Sequence, residues 1–195
     1  MALHIRIAPR RDFKSRDLWE MHTLRAKVFK DRLGWEVPIM SGMEIDGYDA
    51  LDPLYMMIRE PGGGALRGCW RLLPTEGPYM LKDSFAQLLH GAQAPSDERI
   101  WELSRFAIET EGNARFGFSD ITMESIAEII SHGHHAGLGQ YVTVTTTAIE
   151  RLLRRAGVVT TRFGEPVQIG VEKAVALYID VEATHAAMFE SRLAS

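Results

Sequence analysis

The sequence predicts one α/β domain in which helices flank a mixed β-sheet. Runs of alternating or β-branched apolar residues, typical of strands, recur along the chain, and segments with the apolar period of helices lie between them. The two kinds of segment do not alternate strictly, as a purely parallel sheet would require, so we expect both strand orientations. The length of 195 residues fits a single domain spanning residues 1–195.

Strands are predicted wherever a short apolar run alternates with polar residues or is rich in β-branched residues. These strands lie at residues 4–7, 54–59, 66–73, 100–108, 141–147, 158–162, 167–170 and 174–181. The glycine-rich stretch 61–65 predicts a turn that joins the second and third strands into a hairpin.

Helices are predicted where apolar residues recur at helical spacing, at residues 15–32, 118–137, 148–156 and 183–193. The apolar stripe of the first helix consists of Leu18, Met21, Leu24 and Val28. We expect Asp17 to cap this helix, with Glu20 as its capping-box partner, and Ser119 to cap the second helix. The prolines and glycines of residues 35–53 predict a long irregular loop, and loops of that length are usually functional.

The composition excludes several classes of protein. Hydrophobic residues make up 46% and charged residues 25% of the chain, which excludes a disordered or collagen-like protein. The one cysteine, Cys69, cannot form an internal disulfide and is expected to be a buried apolar residue. No apolar run approaches the ~20 residues of a membrane span, and the order of charges at the start is wrong for a signal peptide. We therefore expect a cytoplasmic protein.

The net charge is −4, from 22 basic and 26 acidic residues. Sequence-independent binding to nucleic acid normally needs a basic surplus, so we expect no nucleic-acid partner.

Ionisable residues interrupt otherwise apolar segments. Arg71 interrupts the third strand, and Glu102 and Arg105 interrupt the fourth. A charge within a core strand is costly unless it is paired. Three basic residues and three acidic residues are matched for a cluster: Arg25, Arg71 and Arg105 with Asp46, Asp49 and Glu102. This pattern alone is compatible with a structural ion-pair network, with exposed charges on one face of a sheet, or with a functional site.

Several stretches resemble a known family of enzymes. LRAKVFKDRLGWEV, MEIDGYDALDPLYM, GCWRLLPTEGPYMLKDSF and WELSRFAI are similar to the LuxI-type acyl-homoserine-lactone synthases. The resemblance runs from about residue 20 to the end of the chain and is densest over 24–106. Eight positions match in order: Arg25, Phe29, Trp35, Asp46, Asp49, Arg71, Glu102 and Arg105. The VTVTT segment at 142–146 and the RFG and AVAL segments after it resemble members that make long-chain 3-oxoacyl signals.

The resemblance implies a fold similar to the GNAT N-acyltransferases, with a mixed sheet whose two central strands splay to admit an acyl chain. It also implies a reaction. The α-amine of S-adenosylmethionine attacks the thioester of an acyl carrier protein, and the methionine carboxylate then closes on its own γ-carbon and expels methylthioadenosine. The product is an N-acyl homoserine lactone, a signal of bacterial quorum sensing. S-adenosylmethionine is a co-substrate in this scheme, and no cofactor is expected.

The resemblance also implies roles for individual residues. A free α-amine has a pKa of ~7.7–8.0 and needs a base before it attacks, and Glu102 is the candidate, directly or through a water molecule. The alternative for Glu102 is a structural partner of Arg105 or Arg71. Phe29 and Trp35 would enclose S-adenosylmethionine, although core packing also explains Phe29. The remaining matched residues would orient the amino-acid end of that substrate: Arg25, Asp46, Asp49, Arg71 and Arg105.

The acyl chain and its carrier need further residues. Strict alternation places Ser104 and Phe106 on the face of Glu102, so that a site shared with Arg105 requires an irregularity near 103–107. We assign Ser104 and Phe106 to the acyl chain. In YVTVTTT, Thr143 and Thr145 share one face and are assigned to it as well. Docking of the acidic carrier protein is assigned to Arg151, Arg154 and Arg155, although a solvated helix face explains them equally well.

Three other interpretations remain. His132 and His135 share a helical face, but no further ligand completes a metal set, so we expect no metal. A GNAT acetyltransferase would use acetyl-CoA, but Ala114 and Ser119 depart from the pattern of its pyrophosphate loop at 111–119. A non-catalytic protein that binds acyl signals would not need Glu102 and the charged residues. The sequence leaves open whether the donor is carried on acyl carrier protein or on CoA.

Overall fold

The computed structural model describes residues 3–109 and 120–190. The chain divides into two compact units, one of Met1–Leu72 and Arg105–Ser125 and the other of Leu73–Ser104 and Ile126–Ser195. The predicted strands are confirmed, with each end within two residues of its predicted position. The prediction of a single domain stays a prediction. Within the described ranges, no helix combines the length and the apolar character needed to cross a membrane.

The first unit is built on antiparallel strands. Its elements are β1 (His4–Pro9), α1 (Ser15–Ala26) with a π-helical continuation at Lys27–Arg32, β2 (Ile39–Met40), β3 (Met43–Glu44), β4 (Leu54–Arg59), the larger part of β5 (Leu66–Pro74) and the end of β6 (Ile100–Ile108). β4 lies between β1 and β5 and is antiparallel to both. The predicted hairpin of β4 and β5 is therefore confirmed.

The core of the first unit forms between α1 and these strands. Met21, Leu24 and Val28 of the predicted stripe are buried and pack with Tyr55 and Cys69. Burial of each large apolar side chain contributes about 1.5–3 kcal/mol. Cys69 is 1% exposed, and burial raises the pKa of its thiol to about 12, so it remains protonated in the core as expected.

The beginning of α1 corrects the predicted cap. The helix starts at Ser15, with Lys14 as the N-cap residue, and the carboxylate of Asp17 accepts a hydrogen bond from the backbone N–H of Lys14 (3.2 Å). Asp17 is thus the third residue of the helix, and the prediction that it is the cap was wrong. Glu20 does not take part in a capping box but bonds to Arg16. The sequence pattern misplaces the start because an acidic residue satisfies free amides equally well from the first turn.

Residues 35–53 are more regular than predicted. β2 and β3 form a small antiparallel hairpin in which Met40 pairs with Met43. Ser41 and Gly42 form its turn, with φ of 51° and 79°, and positive φ at both central residues is the geometry of the tightest hairpin turns. A short 3₁₀ helix follows at Gly47–Leu51. The prediction of a wholly irregular loop was therefore wrong, although the segment does carry charged residues of the site.

The second unit contains the mixed sheet. Its elements are α2 (Met80–Asp83), the beginning of β6, most of α3 (Asp120–His135), β7 (Gln140–Thr146), α4 (Thr147–Arg155), β8 (Thr160–Arg162), β9 (Val167–Ile169), β10 (Glu172–Asp180) and α5 (Val181–His185). A π-helical turn at Ala186–Glu190 continues α5. β6 is parallel to β7, and β10 is antiparallel to β7, β8 and β9. The mixed sheet is therefore confirmed. The predicted cap Ser119 lies outside the described residues.

Candidate active site

A buried cluster in the first unit joins three arginines to three carboxylates. Its members are Arg25 of α1, Glu44 of β3, Asp46 and Asp49 of the 3₁₀ segment, Arg71 of β5 and Arg105 of β6. The side chains of Arg25 and Arg71 are 1% and 0% exposed. A buried charge is stable only when it is paired, so each arginine of the cluster requires its carboxylates. The five predicted residues of this set are brought together as expected.

Asp49 lies at the centre of the cluster. It accepts two hydrogen bonds from Arg25, through Nη1 (2.8 Å) and Nη2 (3.0 Å), and one from Nη1 of Arg71 (2.9 Å). The hydroxyl of Tyr55 donates a further bond to it (2.6 Å). Burial by itself would raise the pKa of Asp49, but the charges and hydrogen bonds of Arg25 and then Arg71 hold that pKa well below its usual range. Asp49 is therefore a permanent anion and is unsuited to accept a proton.

Asp46 links the cluster to the short helical turn. Its carboxylate accepts hydrogen bonds from Nη1 (2.5 Å) and Nη2 (3.1 Å) of Arg71 and pairs with Nη2 of Arg105 (2.9 Å). The same carboxylate caps the turn by accepting from the backbone N–H of Tyr48 (3.0 Å), while the N–H of Asp46 donates to Asp49 (2.9 Å). The turn and the ion pairs therefore stabilise each other.

Glu44 is the acidic member that the sequence analysis missed. Its side chain is fully buried, and it accepts hydrogen bonds from Nε of Arg25 (2.5 Å) and Nε of Arg105 (3.1 Å). The prediction assigned Glu102 as the third acid of the set. The only signal for Glu44 in the sequence is an acidic residue between the apolar Met43 and Ile45, two positions before Asp46.

Arg105 joins the cluster to two aromatic residues. Its guanidinium lies 5.6 Å from the ring centroid of Phe29, and Phe29 stacks on Trp35 with the centroids 5.5 Å apart and the planes at 2°. Arg105 has φ of +56°, so the extended backbone of β6 is interrupted there. The irregularity predicted near 103–107 is therefore confirmed. A non-glycine residue in this conformation costs about 1–3 kcal/mol, which the contacts of the cluster offset.

Glu102 lies in the second unit and is 1% exposed. Its carboxylate accepts hydrogen bonds from the backbone N–H groups of Met80 (3.0 Å) and Leu81 (2.7 Å), at the start of α2. Free amides at a helix start favour an anion, so this short helix fixes the carboxylate. The sequence analysis did not predict α2, because a helix of four residues leaves no periodic pattern.

The residues assigned to the acyl chain have different surroundings. The ladder between β6 and β7 ends where Leu103 pairs with Thr143, and the hydroxyl of Thr143 donates to the carbonyl oxygen of Leu103 (2.8 Å). Thr145 is partly buried, and its hydroxyl has no hydrogen-bond partner among the residues that the structure describes. Ser104 is partly buried. In the first unit, Phe106 packs on Trp70 with the ring centroids 4.3 Å apart.

The three arginines of α4 are all exposed. Arg154 pairs with Glu150 (3.1 Å) and donates to the hydroxyl of Thr160 (3.1 Å). Within the described part of the chain, Arg151 and Arg155 make no ion pair or side-chain hydrogen bond. These two side chains are thus available to a partner, whereas Arg154 is already engaged.

Two alternative interpretations of the sequence concern a metal site at His132 and His135 and a pyrophosphate loop. Nδ1 of His135 donates a hydrogen bond to the backbone oxygen of Ser131 (2.7 Å). The ranges 3–109 and 120–190 contain no group of three or more residues that could hold a metal. The stretch 111–119, which was compared with a pyrophosphate loop, lies outside the described residues.

His22 gives the cluster a measurable dependence on pH. It is 5% exposed, and its Nδ1 lies 2.9 Å from the backbone oxygen of Glu44. Burial, followed by the charge of Arg25, lowers the pKa of His22 below its ordinary value of 6.5. Below pH 6.5 the unfolded chain therefore binds a proton that the folded chain resists, and stability is lost as the pH falls.

We expect the free energy of unfolding, measured with urea between pH 7 and pH 5, to decrease more in the wild type than in His22→Asn. Asparagine keeps a donor for the Glu44 oxygen but does not titrate. The difference in unfolding free energy between the wild type and the variant should change by at most ~1.4 kcal/mol for each pH unit below 6.5. The other histidines are present in both proteins, so their contributions to the two pH curves are equal. Parallel pH curves for the two proteins would contradict the prediction.

Comparison with known proteins identifies the family. The family model described as autoinducer synthase matches residues 11–188. The chain is 48% identical to the acyl-homoserine-lactone synthase of Pseudomonas aeruginosa, over 92% of this chain and 90% of that protein. It is 40% identical to the acyl-homoserine-lactone synthase of Vibrio anguillarum, over 84% of this chain and 86% of that one.

Solved structures agree with this match. The structure of the AHL synthase LasI superposes with a TM-score of 0.88 at 46% identity, covering 97% of this chain and 95% of that one. A putative N-acetyltransferase from Lactobacillus plantarum, with a TM-score of 0.61 at 13% identity over 93% of this chain and 99% of that one, shares the fold alone. The predicted GNAT-like fold is therefore confirmed, and the chain belongs to the autoinducer synthase family.

Proposed function

We propose that this acyl-homoserine-lactone synthase transfers a long-chain 3-oxoacyl group from an acyl carrier protein to S-adenosylmethionine and then closes the lactone. The observation that carries the proposal is the charge cluster beside the Phe29–Trp35 stack. S-adenosylmethionine presents a carboxylate, an amine and a sulfonium cation. A site with arginines, carboxylates and aromatic faces complements all three groups.

Two members of the cluster are more exposed than the rest. The side chains of Arg105 and Asp46 are 12% and 10% exposed, whereas Arg25, Arg71 and Glu44 are at most 1% exposed. The fully buried members of the cluster hold Arg105 and Asp46 in position. We infer that Arg105 binds the carboxylate of S-adenosylmethionine, that Asp46 receives its ammonium, and that Phe29 and Trp35 lie against its sulfonium end.

Glu102 is proposed as the general base. A proton leaves the α-amine for Glu102, directly or through a water molecule, and the nitrogen attacks the thioester carbonyl. The new C–N bond replaces the C–S bond, and the carrier leaves as its thiol after it takes up a proton. The carboxylate oxygen then attacks the γ-carbon, whose bond to the sulfonium breaks, and neutral methylthioadenosine departs. S-adenosylmethionine is a co-substrate, and the proposal requires no cofactor and no metal.

The proposal also covers the carrier of the acyl group and the location of the enzyme in the cell. The CoA-dependent acyl-homoserine lactone synthase BjaI, whose structure contains S-adenosylmethionine and isopentyl-CoA, is 25% identical to this chain, with a TM-score of 0.85 over 97% of this chain and 89% of that one. In this chain, Arg151 and Arg155 are exposed and make no ion pair among the described residues, so we propose that they bind the acidic surface of a carrier protein. We propose a cytoplasmic enzyme, because both substrates are made there. Mass spectrometry of lactones and of methylthioadenosine after incubation with each donor tests the proposal, and absence of both products would refute it.

The Glu102→Gln variant tests the base. Glutamine cannot take up the proton, and its NH₂ group opposes one of the two amides that now donate to the carboxylate. We expect kcat to fall by ~10²-fold or more in a protein that circular dichroism shows to be folded. The assay uses a saturating acyl donor and follows methylthioadenosine. Near-wild-type turnover would return Glu102 to a structural role.

The double variant Arg151→Glu/Arg155→Glu tests carrier docking. Neither arginine makes an ion pair or a side-chain hydrogen bond among the described residues, so reversing both breaks no direct contact. We expect a raised KM for the acyl carrier substrate and a weaker dependence of that KM on salt. Arg10→Glu/Lys173→Glu changes the net charge equally at exposed positions outside α4 and is the control. Equal effects of the two double variants would exclude α4 as the docking surface.

The Thr145→Val variant tests the choice of acyl chain. The hydroxyl of Thr145 can donate to the 3-oxo group of a donor, and a lost buried hydrogen bond of this kind costs about 1–3 kcal/mol. We expect the variant to lose most of a roughly tenfold to hundredfold preference for 3-oxoacyl over plain acyl donors. Thr143→Val is the comparison, since it removes a bond to the backbone of Leu103 and should lower stability instead. A valine variant that keeps the preference would exclude Thr145.

A further inference from the structure

We propose that Glu44 is a positioning residue of the active site, which holds the guanidinium of Arg105 in the orientation that binds S-adenosylmethionine. The inference rests on the proposed function, because it assigns Glu44 a part in the use of that substrate. Glu44 lies outside the eight positions on which the family resemblance was drawn, and its burial and its two arginine partners single it out.

The two oxygens of Glu44 bind different arginines. Oε2 accepts a hydrogen bond from Nε of Arg25 (2.5 Å), and Oε1 accepts one from Nε of Arg105 (3.1 Å). A carboxylate that divides its oxygens in this way fixes the distance between two guanidinium groups. A carboxylate that gave both oxygens to one arginine would stabilise a pair but would not connect its position to that of a third group.

One end of this bridge is rigid. Arg25 is held by both oxygens of Asp49 and is 1% exposed, so its guanidinium cannot turn without breaking buried ion pairs. Glu44 itself is held by its backbone, since its carbonyl oxygen lies 2.9 Å from Nδ1 of His22 on α1. The position of Glu44 is thus fixed from α1 on both its side-chain and its backbone sides.

The other end of the bridge is the guanidinium of Arg105, whose orientation Glu44 controls. Arg105 is the most exposed member of the cluster, at 12%, and its side chain starts from the interrupted backbone of β6. Glu44 holds its Nε and Asp46 holds its Nη2 (2.9 Å), and these two contacts define the plane of the guanidinium beside the Phe29 ring. Loss of Glu44 removes the contact at Nε, and we expect the guanidinium plane to turn relative to the Phe29 ring.

Steady-state kinetics of Glu44→Gln and Glu44→Asp test the proposal. A glutamine has one acceptor oxygen, so it keeps one arginine and directs its NH₂ group at the other. We expect KM for S-adenosylmethionine to rise at least tenfold in Glu44→Gln, with KM for the acyl donor within twofold of the wild type. Glu44→Asp keeps the charge on a shorter side chain, and we expect a rise of about threefold. Isothermal titration with S-adenosylmethionine gives the same ranking without turnover.

Glu150→Gln is the matched control. Glu150 is also a buried carboxylate that bridges two arginines, with Arg162 at 2.6 Å and Arg154 at 3.1 Å, but it lies on α4 in the second unit. We expect this variant to lower the melting temperature and to leave KM for S-adenosylmethionine unchanged. The comparison separates the general cost of removing a buried charge from the effect on the substrate.

The outcomes are distinguishable. A wild-type protein that makes no lactone and releases no methylthioadenosine refutes the proposed function. An active wild type, combined with Glu44 variants that lose stability as Glu150→Gln does but keep the wild-type KM, overturns the positioning role. If Glu44→Gln does not fold, the charged and shorter Glu44→Asp decides, and an unchanged KM in that variant overturns the proposal.

Discussion

The complete burial of two arginines, Arg25 and Arg71, is the constraint on which the site depends. Removing a guanidinium from water costs several kcal/mol, and only paired carboxylates with well-formed hydrogen bonds offset that cost. Asp49 meets the requirement for both arginines at once. The 3₁₀ turn that carries Asp49 is therefore held against α1 and β5 by ion pairs, and loss of one partner would leave a buried charge without compensation.

The same constraint produces the electrostatic character of the site. Because the sealed members of the cluster neutralise one another, the charges left near the surface are those of Asp46 and Arg105. An anion and a cation side by side match the amine and the carboxylate of an amino-acid substrate. Trp35 is only partly buried and stacks on the buried Phe29, and its aromatic face attracts a cation. The stability of the cluster and its proposed binding of a zwitterion thus have one origin.

Two buried carboxylates of this chain, Asp49 and Glu102, accept hydrogen bonds from different kinds of donor. Asp49 is bound by two full positive charges, which hold its pKa well below the ordinary range and prevent it from acting as a base. Glu102 is bound by the amide N–H groups of Met80 and Leu81, which supply dipoles. The two amides hold the Glu102 carboxylate in place, as its proposed role of general base requires.

The sequence by itself determined the strands other than β2 and β3, the apolar stripe of α1 and the residues of the charge cluster apart from Glu44. Strand and helix periods are local properties, and charges that interrupt apolar runs must be paired wherever the chain places them. Tertiary structure alone decided that Glu44 bridges Arg25 and Arg105, that α2 exists, and that Thr143 has a partner whereas Thr145 has none among the described residues. The bridge joins residues 19 and 61 positions apart in sequence, and no local pattern records such contacts.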